Sequence, residues 1–525
     1  MLRRSLIRGM AAAPALAMPA QLRSATATTL RFVPVVDLAF LDPIVTGAYV
    51  TRNHGYMVFD TLYGMDSNLG ISPQMVEGHV VSDDDKRWDL TLREGLLWHD
   101  GTKVLARDCV ASIRRWAKRD AFGEALLAAT DELSASDDRT IRFRLKYPFP
   151  LLPTALGKVS VTCCFMMPER LANTDAFQQV PEMVGSGPFR FRADERVAGV
   201  RSVYDRFEGY RPRADGVSDW VAGPKVVHYD RVVWSTMPDA ATGTAAVQAG
   251  EQDWQEATLH DLVPTLRRNR NLTIDVLDPR GFTCQMRMNC LQPPFDNPAI
   301  RRAVMGAIDQ AAFVTAIAGS DPAFQLTPLG FFPPGTPLAS DAGVGALSAP
   351  RDYDRVRRDL AAAGYKGEKV VLLVPADSFS QKALGDVAAG LLREAGMNVE
   401  YTALDFGSVL QRRNRRTPVE EGGWSLFVIN WQALDWMNPA IHATLRGDGA
   451  FPGWFTSPRM EALRERWFSA PTLADQQRVS QEMQSLAFEE VPFYPLGVYR
   501  QPTLYRKSVT NVNRGTPTFW SVRPA

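Results

Sequence analysis

Between residues 87 and 97 apolar and polar side chains alternate, as Arg87-Trp88-Asp89-Leu90-Thr91-Leu92-Arg93. A period of two predicts a half-buried strand. The same period recurs in Thr140-Ile141-Arg142-Phe143-Arg144-Leu145, and again in Phe189-Arg190-Phe191-Arg192 and Val200-Arg201-Ser202-Val203-Tyr204, which together predict a hairpin. A first strand is predicted over 30–36, with a turn after it at Leu41-Asp42-Pro43, where proline fixes φ and restricts its predecessor. A loop, Thr46-Gly47-Ala48-Tyr49, then precedes a helix predicted over 56–63. Asp108 is placed to cap a helix whose apolar face is Cys109, Val110, Ile113, Trp116 and Ala117, at three-to-four spacing.

Beyond Asn297-Pro298 the pattern changes. That pair predicts a helix start, a capping side chain followed by proline in the first turn. Ile300, Val304, Ala307, Ile308 and Phe313 supply its apolar face. Strands are predicted over 369–373, 399–403 and 426–431, with helices over 379–395 and 406–413 between them. Alternation at this spacing builds an α/β layer with crossover connections. Helical patterns over 458–468 and 473–489 lead into an extended apolar run, 491–498.

Composition narrows the class. A chain of 525 residues, 45% hydrophobic and 22% charged, fits two to four globular domains. The net charge of +1 gives no electrostatic footprint for nucleic acid. Residues 1–27 read as an export signal: Arg3, Arg4 and Arg8, an apolar stretch from Met10 to Pro19, and the small-x-small site Ala25-Thr26-Ala27. Arg3-Arg4-Ser5-Leu6-Ile7-Arg8 resembles a twin-arginine signal, with an ordinary secretory signal as the alternative. Removing this segment takes away four arginines and no acid, so the charge moves from +1 to −3. The cysteines are Cys109, Cys163, Cys164, Cys284 and Cys290, five in number and none near the cleavage site. They are expected as buried thiols, and no Cys or His spacing suggests a metal cluster.

Several ordered blocks carry a resemblance. They are Leu92-Arg93-Glu94-Gly95-Leu96-Leu97-Trp98-His99-Asp100-Gly101-Thr102; Gly185-Ser186-Gly187-Pro188-Phe189-Arg190-Phe191; Ala246-Val247-Gln248-Ala249-Gly250-Glu251-Gln252-Asp253; Pro294-Phe295-Asp296-Asn297-Pro298-Ala299-Ile300-Arg301-Arg302-Ala303; and, more loosely, Asn430-Trp431-Gln432-Ala433-Leu434-Asp435-Trp436-Met437-Asn438-Pro439. In this order the chain resembles the periplasmic solute-binding proteins of ABC importers, in the family 5 class of oligopeptide-, dipeptide- and nickel-binding proteins. The resemblance implies an α/β, two-lobed periplasmic-binding-protein fold with a hinge and an inserted extra subdomain in the first lobe. Lobe 1 would comprise 28–57, 184–283 and 488–525, with the inserted subdomain over 58–183; lobe 2 would span 284–487. Hinge crossings are expected near 283–290 and 491–498.

The site is implied residue by residue. Asp435 stands where peptide-binding relatives pair an aspartate with the ligand's α-ammonium, although one extra residue separates it from Trp431 and Trp436 replaces a tyrosine. A carboxylate in a closed cleft attracts a cation far more strongly than in water. The alternative for Asp435 is a loop cap. Trp431 is expected to stack on the ligand or to be a core tryptophan; Asn430 and Trp436 flank it. The loop containing Thr46, Ala48 and Tyr49 matches the place where relatives pair main chain with an extended ligand. Ser380 and Phe406 match pocket-lining positions of lobe 2. His99 is expected to be structural, and His442 lies near the place where nickel-binding relatives use a histidine.

The resemblance thus implies a monomeric periplasmic receptor without catalysis or cofactor. It would capture a peptide or other small amine-bearing solute and deliver it to a membrane permease. A hydrolase on the same fold, a receptor for a metal chelate and a module signalling to a chemoreceptor are the alternatives.

Overall fold

The structure, a computed structural model, describes residues 28–525. The expected export signal, with its twin-arginine motif, lies outside the described residues.

The strand–helix alternation of the second half forms one side of a six-stranded sheet. Its order is Gln325–Leu326, Phe493–Tyr499, Phe282–Met288, Leu426–Gln432, Lys369–Pro375, Asn398–Leu404. Lys369–Pro375 runs parallel to both of its neighbours, as crossover helices require. Those helices are Phe379–Glu394 and Phe406–Arg412. Asn297 caps the helix Pro298–Met305 by accepting from Ala299 N–H at 2.9 Å.

A seven-stranded sheet forms the other main layer. Its order is Phe189–Phe191, Arg201–Arg206, Arg231–Ser235, Thr29–Val33, Trp254–Gln255, Thr503–Arg506, Leu272–Asp275. The predicted hairpin is present, with Phe191 paired to Tyr204. The inserted region carries an antiparallel four-stranded sheet, Val76–Ser82, Arg87–Leu92, Thr140–Leu145, Thr130–Ala135. Along Arg87–Leu92, half-buried and buried residues alternate, the outcome expected of its period of two.

The chain passes between the two large sheets at 276–281 and 500–502. The runs expected as crossings, 283–290 and 491–498, instead hold central strands of the six-stranded sheet. They read as extended and apolar because they are buried there: every residue of Phe493–Tyr499 is buried. The expected boundary at 488 therefore falls before a strand that pairs within the second sheet. Gly281 closes the first crossing with φ +70°, and a Cβ there would lie 2.4 Å from the Tyr499 carbonyl oxygen. Only glycine fits both the left-handed backbone and that approach. Arg500 braces the pair of crossings, its Nε donating to Pro279 O at 2.6 Å.

Two local expectations are corrected. The helix predicted over 56–63 is Tyr49–Val58, followed by short strands Asp60–Thr61 and Tyr63–Met65. Residues 50–65 are buried throughout, and a short apolar run surrounded by core carries no period that separates helix from strand. Asp108 is the third residue of the helix Ala106–Ala117 rather than its cap. From there its carboxylate accepts from Leu105 N–H (2.9 Å), Trp98 Nε1–H (3.2 Å) and Glu169 N–H (2.8 Å).

Candidate functional site

The strand Leu426–Gln432 ends against the helix Tyr49–Val58, where the two main layers meet. Tyr49 begins that helix, so its ring lies at the junction instead of in a free loop. Its hydroxyl donates to Asp435 Oδ2 at 2.5 Å and accepts from Gln432 N–H at 2.8 Å. One turn on, Arg52 is buried and reaches across too, donating from Nη1 to Gln432 Oε1 at 2.6 Å and to Val159 O at 3.2 Å. Its guanidinium lies 5.1 Å from the Tyr49 ring centroid.

Asp435 is 5% exposed, and its second oxygen, Oδ1, is buried with no hydrogen-bond partner. Burial pushes its carboxyl up from the ordinary value. The Tyr49 hydrogen bond and the cations Arg52 and Lys158 pull the other way. Burial and the facing carboxylate also raise the Tyr49 phenol well above its usual value, so Tyr49 stays a proton donor. Glu256, buried beside Arg52 and Asn53, is likewise raised by desolvation.

A second cluster lies on the opposite face of the same strand. Asn430 Nδ2 donates to Ser380 Oγ at 2.9 Å and to Tyr499 OH at 2.7 Å, and its Oδ1 accepts from Gln381 at 3.3 Å. The Tyr499 ring stacks on Phe282 at 5.3 Å, and Phe282 meets Tyr49 edge-on at 6.2 Å. The aromatic series Tyr49, Phe282, Tyr499 thus joins the Asp435 group to the Asn430 group.

Of the residues named from sequence, Tyr49 and Asp435 are in direct contact, and Asn430 and Ser380 are too. Trp431 is half-buried, with its ring 6.0 Å from that of Phe451 and its Nε1 unpartnered. Thr46 and Ala48 are half-buried just before the helix, where Thr46 Oγ1 accepts from Ala48 N–H at 3.2 Å. Phe406 opens its helix, held by its N–H to Asp377; no hydrogen bond or ring contact joins it to Asp435. Trp436 is a correction. It is 1% exposed, stacked on His442 at 4.7 Å and packed on Phe493 at 4.8 Å, because the 3-10 turn Ala433–Trp436 rotates it away from Asp435 into the second core.

Arg52, Gln432, Phe282 and Tyr499 were missed. Gln432 stood inside the Asn430–Pro439 block and could have been read there; the other three carry no local signal.

The two histidines of interest are structural. His99 lies 3.0 Å from Gly187 O through Nε2 and accepts from Gly185 N–H, so two of the sequence blocks hold each other. His442 Nε2 lies 2.9 Å from Phe331 O, and burial pushes its pKa down to about 3. It is therefore neutral at physiological pH. The thiols of Cys109, Cys163, Cys164 and Cys284 are buried and Cys290 is half-buried.

Two α/β layers joined by two crossings, with polar and aromatic groups converging where they meet, define a two-lobed binding protein. Residues 70–451 match the family of bacterial extracellular solute-binding proteins, family 5, and the chain belongs to that family. It is 36% identical to a probable peptide ABC transporter periplasmic-binding protein, y4tO, of Sinorhizobium fredii, over 100% of this chain and 99% of that one. It is 24% identical to the glutathione-binding protein GsiB of Pectobacterium atrosepticum, over 92% of this chain and 91% of that one. Among solved structures, the dipeptide-type protein DppA of Helicobacter pylori bound to the peptide STSA superposes with TM-score 0.78 at 19% identity, covering 95% of this chain and 98% of that chain. The AgaA protein of A. tumefaciens R10 bound to agropinic acid gives 0.77 at 20% identity, covering 95% and 99%. The chain is thus the extracytoplasmic solute-binding component of an ABC importer, working with a membrane permease.

Proposed function

We propose that the solute is a short peptide or a similar small amine-bearing compound, and that its ammonium is held by Asp435. One observation carries this reading: Asp435 Oδ1 is buried, aimed into the junction and unpartnered, while Oδ2 is fixed by Tyr49. A carboxylate oriented by one oxygen and open at the other is ready for a charge-assisted hydrogen bond. The 36% identical relative is named for peptides and the 24% identical one for glutathione, an amine-bearing peptide, which supports the same class. Trp431, Asn430 and Ser380 would line the site, and Thr46 and Ala48 would offer main chain. The lobes would turn about 276–281 and 500–502, and the solute would leave unchanged. Export would use the signal in residues 1–27, by the twin-arginine route.

Mass spectrometry of solutes copurifying with the exported protein, followed by titration calorimetry, tests this. Asp435→Asn is expected to weaken binding of the recovered solute by about 10- to 100-fold, since a hydrogen bond to a charged group contributes about 1.5–3 kcal/mol. Unchanged affinity, or a recovered solute without an amine, rejects the assignment.

A further inference from the structure

The face of the six-stranded sheet that bears Trp431 carries polar groups that the Asp435 site does not use. Register places Thr283 opposite Trp431, Gln285 opposite Ile429 and Arg287 opposite Phe427. All six side chains therefore lie on one face. Phe451 covers them: its ring is 6.0 Å from Trp431, and the guanidinium carbons of Arg287 and Arg413 lie 5.6 and 5.5 Å from its centroid. Arg413, just past the helix Phe406–Arg412, also lies 5.5 Å from the Phe427 centroid, so two rings grip its guanidinium.

Arg287 is satisfied, donating to Thr444 O, Pro492 O and Pro452 O at 2.6, 3.0 and 3.1 Å. Its neighbours are not. Nε and Nη1 of Arg413, Nε1 of Trp431 and both amide atoms of Gln285 are buried without a hydrogen-bond partner. Gln285 is 0% exposed. A buried donor left unmade costs about 1–3 kcal/mol, more when charged, so such a set around one ring calls for an acceptor.

We propose that this cluster is an oxyanion subsite, in which a carboxylate of the bound solute accepts from Arg413, Trp431 and Gln285. It rests on the receptor reading and deepens it: with Asp435 on the ammonium, the solute is zwitterionic. The planar guanidinium fork matches a carboxylate, and Trp431, at the strand end that also carries Gln432 and Asp435, joins the two subsites.

The full exported protein, freed of solute, is titrated with sodium acetate against sodium chloride at constant ionic strength, reading tryptophan fluorescence. Acetate is expected to give a saturable response that Arg413→Gln weakens about tenfold or more, as expected for a charge-assisted contact. Arg413→Lys keeps the charge, guards against a misfolded variant, and should fall between. Gln285→Met should weaken acetate a few-fold without lowering Tm, because no internal hydrogen bond is lost; a merely structural glutamine would lower Tm. No acetate-specific saturation, or equal responses in wild type and both Arg413 variants, overturns the subsite. Acetate carries no amine, so that failure leaves capture at Asp435 standing. Conversely, failure of the Asp435 assignment beside an Arg413-dependent acetate response leaves the subsite standing.

Discussion

Two kinds of buried charge coexist in this protein. In the first lobe and its inserted region, Asp42, Asp60 and Asp120 are each buried and each fully answered. Asp60 takes Lys225 Nζ at 2.7 Å, Tyr210 OH at 2.9 Å and Thr61 N–H at 2.9 Å. Asp42 takes Arg115 at 2.8 Å and Val180 N–H at 3.0 Å, and Asp120 takes Lys158 at 2.8 Å plus two helix N–H groups. Where the lobes meet, Asp435 and Arg413 are buried with atoms unanswered. The first kind knits loops to cores. The second kind is stable only as part of a site that expects company, since an unmatched buried charge is costly.

The contrast predicts opposite responses to mutation. The largest effect belongs to the closed set: Asp60→Ala strands Lys225, which is 0% exposed, and should cost about 3–5 kcal/mol of stability, as broken buried pairs do. Urea denaturation monitored by circular dichroism reads this; a loss below 1 kcal/mol would erase the distinction drawn here. Tyr49→Phe comes next. It removes the donor to Asp435 Oδ2 and the acceptor for Gln432 N–H, and should cost about 1–2 kcal/mol, seen as a lower Tm of the solute-free protein.

The smallest effect is a pH dependence. The folded-state pKa of Asp435 is raised, so the folded protein holds this proton more tightly than the unfolded chain. Its contribution is most favourable below the ordinary carboxylate range and is lost as pH rises through the raised value. The Tm of wild type minus that of Asp435→Asn should therefore fall as pH is taken from 4 toward neutrality. Solute affinity should move the other way, because only the ionised carboxylate pairs with an ammonium. A flat Tm difference contradicts the burial argument.

Much of the second lobe was legible because its strands and helices keep their own periods. Lys369–Pro375, Phe379–Glu394 and Leu426–Gln432 match their predicted spans to within a few residues. The helix Tyr49–Val58 was not, since burial on all sides removes the polar face that would set a period. At the site, Asp435, Asn430 and Tyr49 could be named from the blocks. Arg52 could not, because only the fold sets it beside Gln432, some 380 positions away. Arg413 hides within Arg412-Arg413-Asn414-Arg415-Arg416, a run that reads as a solvated surface; its burial between two rings is a tertiary fact.

The turn that carries Asp435 faces both ways: Trp436 is packed in the second core, whereas Leu434 and Met437 belong to the cluster around Phe32, Trp234 and Phe519 in the first. Prying the halves apart must wet these two apolar side chains, at about 1.5–3 kcal/mol for each one fully exposed. Part of the shutting force thus comes from oil rather than from cargo, so a small guest with few contacts can still be retained.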